Sequence, residues 1–241
     1  MSSGRRPTTA AAGPVAVRGA LLTPLPGGEV RYVRDGLLVV DASGRIVHAG
    51  RASRRWAALP LVAGSPDAMI AAPLWDPHIH LPQLGLAGRH REPLLEWLRR
   101  RVFPAEARHA HQAHAAAATR RFYDALAASG TAGAGVFTAP FPGAGRVALE
   151  EAAQRGVPVR AGPPWMDTGP APLTRSAAAW ERAIRALRER YRCRAAVIPR
   201  FALSCSPRML ERAGRLARGL RAWVLGHVSE NADEVAAVRQ R

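Results

Sequence analysis

The chain has 241 residues, enough for one or two domains with a sizeable core. It is 48% hydrophobic and 22% charged, the mix of a globular protein, yet its formal net charge is +17. All 35 basic residues are arginine, scattered among Ala, Gly and Pro with only 6% aromatics, which reads as a composition bias and argues against nucleic acid as the partner.

The opening "MSSGRRPTTAAAGP" has no apolar core of the signal-peptide kind and reads as a disordered tail over 1–14. Residues 15–70 read as a small antiparallel β module with its linker. "VAVRGALLT", "EVRYVRDGLLVVD" and "GRIVHAG" are short strand-like runs separated by "PGG" and "SG" turns, and a Pro/Gly-containing link follows. His48 falls in this module and reads as a surface residue.

From about residue 71 short apolar strands alternate with helices. "AAPLW" leads into "HIH". A helical pattern over 106–129 stops at Gly130, "AGAGVFT" is a strand, and 147–154 is a helix stopped by Gly156. "VPVRAG" is a strand, and 176–190 is a helix with Trp180, Ile184 and Leu187 on one stripe. "AAVIPRF" is a strand, and "SPRMLERAGRLA" is a helix with Ser206 as N-cap and Pro207 in its first turn. "AWVLGH" is a strand and "ENADEVAAVRQR" opens a last helix. The uncharged stretch 125–145 has the length of a membrane span, but its glycines with Pro140 and Pro142 make it a strand with turns, so no membrane partner is expected. This alternation implies parallel strands with crossover helices. Five such strands over 71–241 make an incomplete (β/α)8 barrel, and three further units of about 30 residues each would close it.

His78 and His80 are two apart on a strand, so both project to one face while Ile79 turns to the other. Taken alone the pair is equally a metal claw or two ordinary histidines. It stands at the C-terminal end of the first α/β strand, and His227 ends the fifth; chemistry gathers at such strand ends. Neutral imidazole is the commonest ligand for divalent metals. His90, His109, His111 and His114 fall in loop or helix and read as a solvated helical face. Cys193 and Cys205 form no CxxC pair, which speaks against a disulfide framework or thiolate zinc site and for a reducing compartment, the cytoplasm.

"DPHIHLPQ", "EPLLEWLRRRVFPAEAR", "PRFALSCSP" and "HVSEN", in this order, resemble the amidohydrolase superfamily and, within it, the zinc-dependent guanine deaminases. The resemblance runs from about Val15 to Arg241. It implies a metallo-dependent hydrolase barrel of the (β/α)8 type, with half of a β-sandwich preceding it, and hydrolysis of guanine to xanthine and ammonia. It implies that His78, His80 and His227 hold zinc, that Glu230 shuttles protons, and that Gln83, Arg200 and Phe201 contact the purine. The residue types suit this chemistry. Arg200 can donate to O6 and N7 of guanine, the Gln83 amide can donate and accept, and Phe201 can pack on the ring face. Plainer readings stand beside these: Arg200 as one surface cation among many, Phe201 as core, and Glu230 as a helix-start acid.

With no lysine in the chain, a carboxylated lysine cannot bridge two metals, so the resemblance implies one mononuclear zinc. The H-x-E and P-C-x-x-C signature of cytidine-type deaminases does not occur. The family pattern continues beyond "HVSEN" with a later His and an Asp, and Arg241 ends the sequence before both. The usual Pro-Gly ahead of the His pair is Ala72-Pro73 here. The expectation is poor stability alone and little activity until a second polypeptide supplies the remainder, whereupon a homodimer fits the family. Action on another amino-purine or a triazine, and a non-catalytic binding module, are the competing readings.

Overall fold

The computed structural model describes residues 13–89 and 92–240. Most of the tail expected over 1–14, together with His90, Arg91 and Arg241, lies outside the described residues. The chain divides into two compact units, one ending at Pro73 and the other beginning at Leu74.

The first unit is one sheet of β1 (Val15–Pro24), β2 (Val30–Val40), β3 (Ile46–Arg51) and β4 (Leu61–Ala71), in the order β3-β2-β1-β4. β1, β2 and β3 pair antiparallel, as their alternating apolar residues and tight turns dictate. Ala16, Leu37 and Val39 form a small core with Trp56 and Leu59, while Val30, Tyr32, Ile46 and Met69 stay exposed. His48 is half-buried against Trp56 rather than plainly on the surface. The expected link is not wholly a link. β4 runs parallel to β1 at the sheet edge, so the module is mixed. Gly64, Pro66 and Asp67 disguise it in the sequence, since strands disfavour all three and tolerate Pro only on an edge. Gly64 has φ +104°, and a Cβ there would overlap the Arg18 carbonyl.

In the second unit β5 (Leu74–His80), β6 (Thr131–Phe137) and β7 (Val159–Gly162) pair in parallel in chain order. β8 (Pro164–Trp165) pairs parallel with β9 (Ile198–Pro199), and a bridge joins Ala161 to Ala195. The fifth strand position is a single bridge, Val197 to Val224. Leu225 N–H donates to the Val197 carbonyl (3.1 Å) and His227 N–H to the Arg200 carbonyl (2.9 Å). Five parallel strand positions therefore follow one another, as the strand–helix alternation requires.

Between β5 and β6 the chain forms α1 (Leu94–Trp97), a π turn (Leu98–Val102), α2 (Phe103–Ala107), a 3-10 turn (Arg108–Ala110) and α3 (Gln112–Ala128). The widened π turn precedes Pro104, which has no N–H to donate. The single helix expected over 106–129 is thus broken at His111, which is extended (φ −81°, ψ 115°). Ala-rich text has high helical propensity on both sides and does not register the break. α4 (Pro142–Arg155), α5 (Ala177–Tyr191), α6 (Pro207–Leu220) and α7 (Ala232–Arg239) follow. Ser206 caps α6 by accepting from Met209 N–H (3.2 Å). Trp180, Ile184 and Leu187 pack with Phe122, Leu149 and Trp165 in the main core, between helices and sheet. Phe137, Ala196 and Ile198 form a separate cluster with Leu225. Leu74, Trp75, Trp223 and Val224 at the first and fifth positions stay exposed. No described helix is long and apolar enough to cross a membrane.

His109 departs from the solvated helical face expected of it, being only 4% exposed. Its Nδ1 donates to the Ala105 carbonyl (3.1 Å). Burial pushes its pKa down to about 4 against that hydrogen bond, and His114, Arg108 and Arg121 push the same way. In the unfolded chain the ring protonates near 6.5, so its contribution to stability is present above that pH and lost as pH falls towards about 4. The loss is at most about 3 kcal/mol. Urea midpoints measured from pH 7 to 4 should fall less steeply for His109→Gln than for the parent; equal slopes would show that His109 is not the group being charged.

Candidate metal centre

The C-terminal end of β5 is shaped by "WDPHIH". The Asp76 carboxylate accepts the His78 backbone N–H (3.0 Å), and the β5–β6 register shifts between Asp76 and Ile79. Gly135 on β6 permits this, because a Cβ there would collide with the Pro77 carbonyl. Ile79 packs against the main core, leaving His78 and His80 together on the other face. His227 joins them from the fifth strand position, anchored by the Arg200 carbonyl, which accepts both its backbone N–H (2.9 Å) and its Nδ1–H (2.7 Å).

The three Nε2 atoms form a nearly equilateral triangle: 3.2 Å between His78 and His80, 3.1 Å between His78 and His227, and 3.0 Å between His80 and His227. This is the one group of three or more ligating side chains among the described residues that could hold a metal. Because His227 Nδ1 carries the proton given to a carbonyl, its Nε2 presents a bare lone pair to the other two rings. Burial drives the His80 pKa well below the ordinary value, and His227 and Arg200 add to the shift. Burial also takes His227 down to about 4. Both rings are therefore neutral at pH 7, the state a metal requires. Three convergent imidazole nitrogens, two of them on rings held neutral, form a donor set that fits a divalent metal accepting imidazole. Phe137, at the end of β6, packs on all three rings with centroids 4.4, 4.6 and 4.8 Å away.

Every residue singled out in the sequence lines one cleft of about 230 Å³: His78, His80, Gln83, Arg200, Phe201, His227 and Glu230, with Leu94, Trp97 and Leu98 as apolar wall. Gln83 sits in the 3-10 turn Leu81–Leu86 that follows β5. Phe201 is 6% exposed. Glu230 is exposed and follows Ser229, whose φ of 55° turns the chain sharply. The turn is fixed at the start of α7, where Asn231 accepts from Glu234 N–H (2.8 Å) and the Glu234 carboxylate accepts from Glu230 N–H (3.0 Å).

Arg200 is not a surface cation. Its Nη1 donates to Glu106 Oε2 (2.6 Å), with the side chains 2% and 0% exposed. The guanidinium stacks over Phe103 at 5.0 Å. Burial pushes the Glu106 carboxyl up, and the Arg200 charge works against that push. One residue thus links both halves of the site, with its side chain in the cleft wall and its carbonyl holding His227. Sequence reasoning missed Glu106, Phe137 and Trp97. The sole carboxylate of "FPAEAR" and the aromatic closing the strand "AGAGVF" were the available signals.

No family model matches the chain. It is 35% identical over 221 residues to a probable guanine deaminase of Deinococcus radiodurans, covering 85% of this chain and 49% of that protein. Against the Escherichia coli K12 guanine deaminase the identity is 31%, over 87% of this chain and 50% of the relative. The crystal structure of the Bradyrhizobium japonicum guanine deaminase superposes with a TM-score of 0.83 at 31% identity, covering 93% of this chain and 52% of that one. The chain spans about half the length of the curated relatives it matches. The fold is a partial α/β barrel preceded in sequence by a strand module, matching about half of that guanine deaminase structure.

Proposed function

We propose that this chain, which corresponds to the N-terminal half of the guanine deaminases, builds the zinc-binding and purine-contacting side of an active site that hydrolyses guanine to xanthine and ammonia. The observation that carries the reading is the triangle of three Nε2 atoms from two strand ends, opening into the cleft that Gln83, Arg200, Phe201 and Glu230 also line. His78, His80 and His227 hold a single zinc ion. Zinc bound there supplies Lewis acidity that lowers the pKa of water towards neutrality.

The chain's own residues do the rest. Arg200, fixed by Glu106, donates to the acceptor edge of the purine, and Gln83 pairs with its amide and amidine groups. Phe201 and the Leu94–Trp97 wall exclude water from the ring faces. Glu230, three residues beyond His227, moves one proton from the attacking water to the ring nitrogen beside the amidine carbon, and then the second, from the added hydroxyl, to the departing amine. The carbon–oxygen bond forms, the exocyclic carbon–nitrogen bond breaks, and ammonia leaves. The free thiols Cys193 and Cys205 suit a reducing cytoplasm. A homodimer of the complete barrel is part of the proposal, to be checked by sedimentation.

The test is a purine and triazine panel on the zinc-loaded chain, alone and with a separately expressed C-terminal half of the Escherichia coli relative. Guanine should bind in preference to adenine and melamine, and xanthine should appear only with the added half. Tighter binding of adenine or melamine, with guanine unbound, would replace this reading by another amidohydrolase. Binding of none would leave a non-catalytic module.

A further inference from the structure

We propose that a second pocket in the barrel unit binds a phosphate group, either as inorganic phosphate or as a monoester. The pocket is about 490 Å³. It shares the 3-10 turn Leu81–Leu86 with the metal cleft but none of that cleft's lining residues. Its charged and polar lining is Arg89, Arg108, Arg121, His109 and His114, with no carboxylate.

The positive charge is uncompensated. None of the three guanidinium groups makes an ion pair or side-chain hydrogen bond among the described residues. The carboxylates nearest in sequence are engaged elsewhere: Asp124, one turn along α3 from Arg121, accepts from Arg155 (2.6 Å), Glu106, two residues before Arg108, accepts from Arg200, and Glu92, three residues after Arg89, accepts from Arg101 (3.2 Å). His114, Ala118 and Arg121 share one face of α3, and the small Ala118 leaves room between the two polar side chains. Several guanidinium groups lining one pocket without an acid suit a multiply charged oxyanion.

His109 narrows the choice of anion. It is buried, and its Nδ1 gives its proton to the Ala105 carbonyl, so Nε2 carries a lone pair. That Nε2 has no partner among the described residues. Hydrogen phosphate offers what this set lacks on both sides, anionic oxygens for the arginines and a hydroxyl to donate to Nε2, and a monoester offers the same as its monoanion. Sulfate, fully ionised at neutral pH, has no such hydroxyl. The proposal stands apart from the guanine reading, because it uses neither the metal ligands nor the purine contacts.

Titration calorimetry of the intact chain with inorganic phosphate, glycerol phosphate and sulfate tests it at pH 7. One phosphate should bind per chain, at least about tenfold tighter than sulfate, and Arg108→Ala/Arg121→Ala should weaken it by at least about tenfold. Arg182→Ala, on α5 outside the pocket, should change affinity by less than about twofold, and His109→Gln should reduce the preference over sulfate. Tighter binding of glycerol phosphate than of inorganic phosphate assigns a monoester, and the reverse assigns the free ion. No saturable binding, equal affinity for sulfate, or an equal loss on Arg182→Ala would overturn the proposal, the last by showing a diffuse basic surface.

Discussion

Glu106→Ala, behind the cleft wall, should destabilise the protein by about 3–5 kcal/mol, the largest stability effect expected of any single substitution around the site. The carboxylate is 0% exposed and its partner guanidinium 2% exposed, 2.6 Å apart, so removing one leaves the other as an uncompensated buried charge. The loss comes from that stranded charge and not from any net strength of the pair. Glu106→Leu/Arg200→Met, which removes both charges while roughly keeping volume, should recover most of the stability. Urea denaturation of Glu106→Leu, Arg200→Met and the double variant gives the cycle. A Glu106→Ala midpoint within about 1 kcal/mol of the parent, or additive losses in the double variant, would show that water already solvates the pair.

His227→Ala should weaken zinc binding by more than about a hundredfold. Disturbing an outer hydrogen bond to a ligand commonly costs tenfold to a hundredfold, and here a ligand and its anchor go together. His227 is set by two bonds to one carbonyl, which fix both its backbone and its tautomer. Competition with a chromophoric chelator measures the change. His48→Ala, in the strand module, should leave zinc affinity unaltered. Equal affinities in the parent and the His227 variant would remove the imidazole triangle as the metal centre.

The metal triangle was legible in the sequence because strand geometry is so simple. A period of two puts His78 and His80 on one face, and parallel strands bring His227 to the same end. The strand–helix alternation and the helices after Gly130 were legible for the same reason, since apolar period and capping residues such as Ser206 are local signals. What was hidden depends on partners distant in sequence. Glu106 and Arg200 are 94 residues apart, and nothing in "FPAEAR" says that its carboxylate turns inward to a guanidinium. Phe137 reads as one more strand residue until three imidazoles are found against it. β4 was hidden by its own Gly, Pro and Asp, which strands disfavour, and the Pro is tolerated only because β4 is an edge. His109 sits in text that reads as solvated helix, and its burial follows from a break at His111 that helical propensity does not reveal.

Zinc K-edge absorption of the chain loaded with one equivalent of zinc tests the central assignment most directly. Three imidazole nitrogens should appear at about 2.0–2.1 Å, completed by oxygen, and the imidazole scattering should vanish in His78→Ala/His80→Ala/His227→Ala. A sulfur shell at about 2.3 Å, which only Cys193, Cys205 or a methionine could supply, or an all-oxygen shell, would contradict the account.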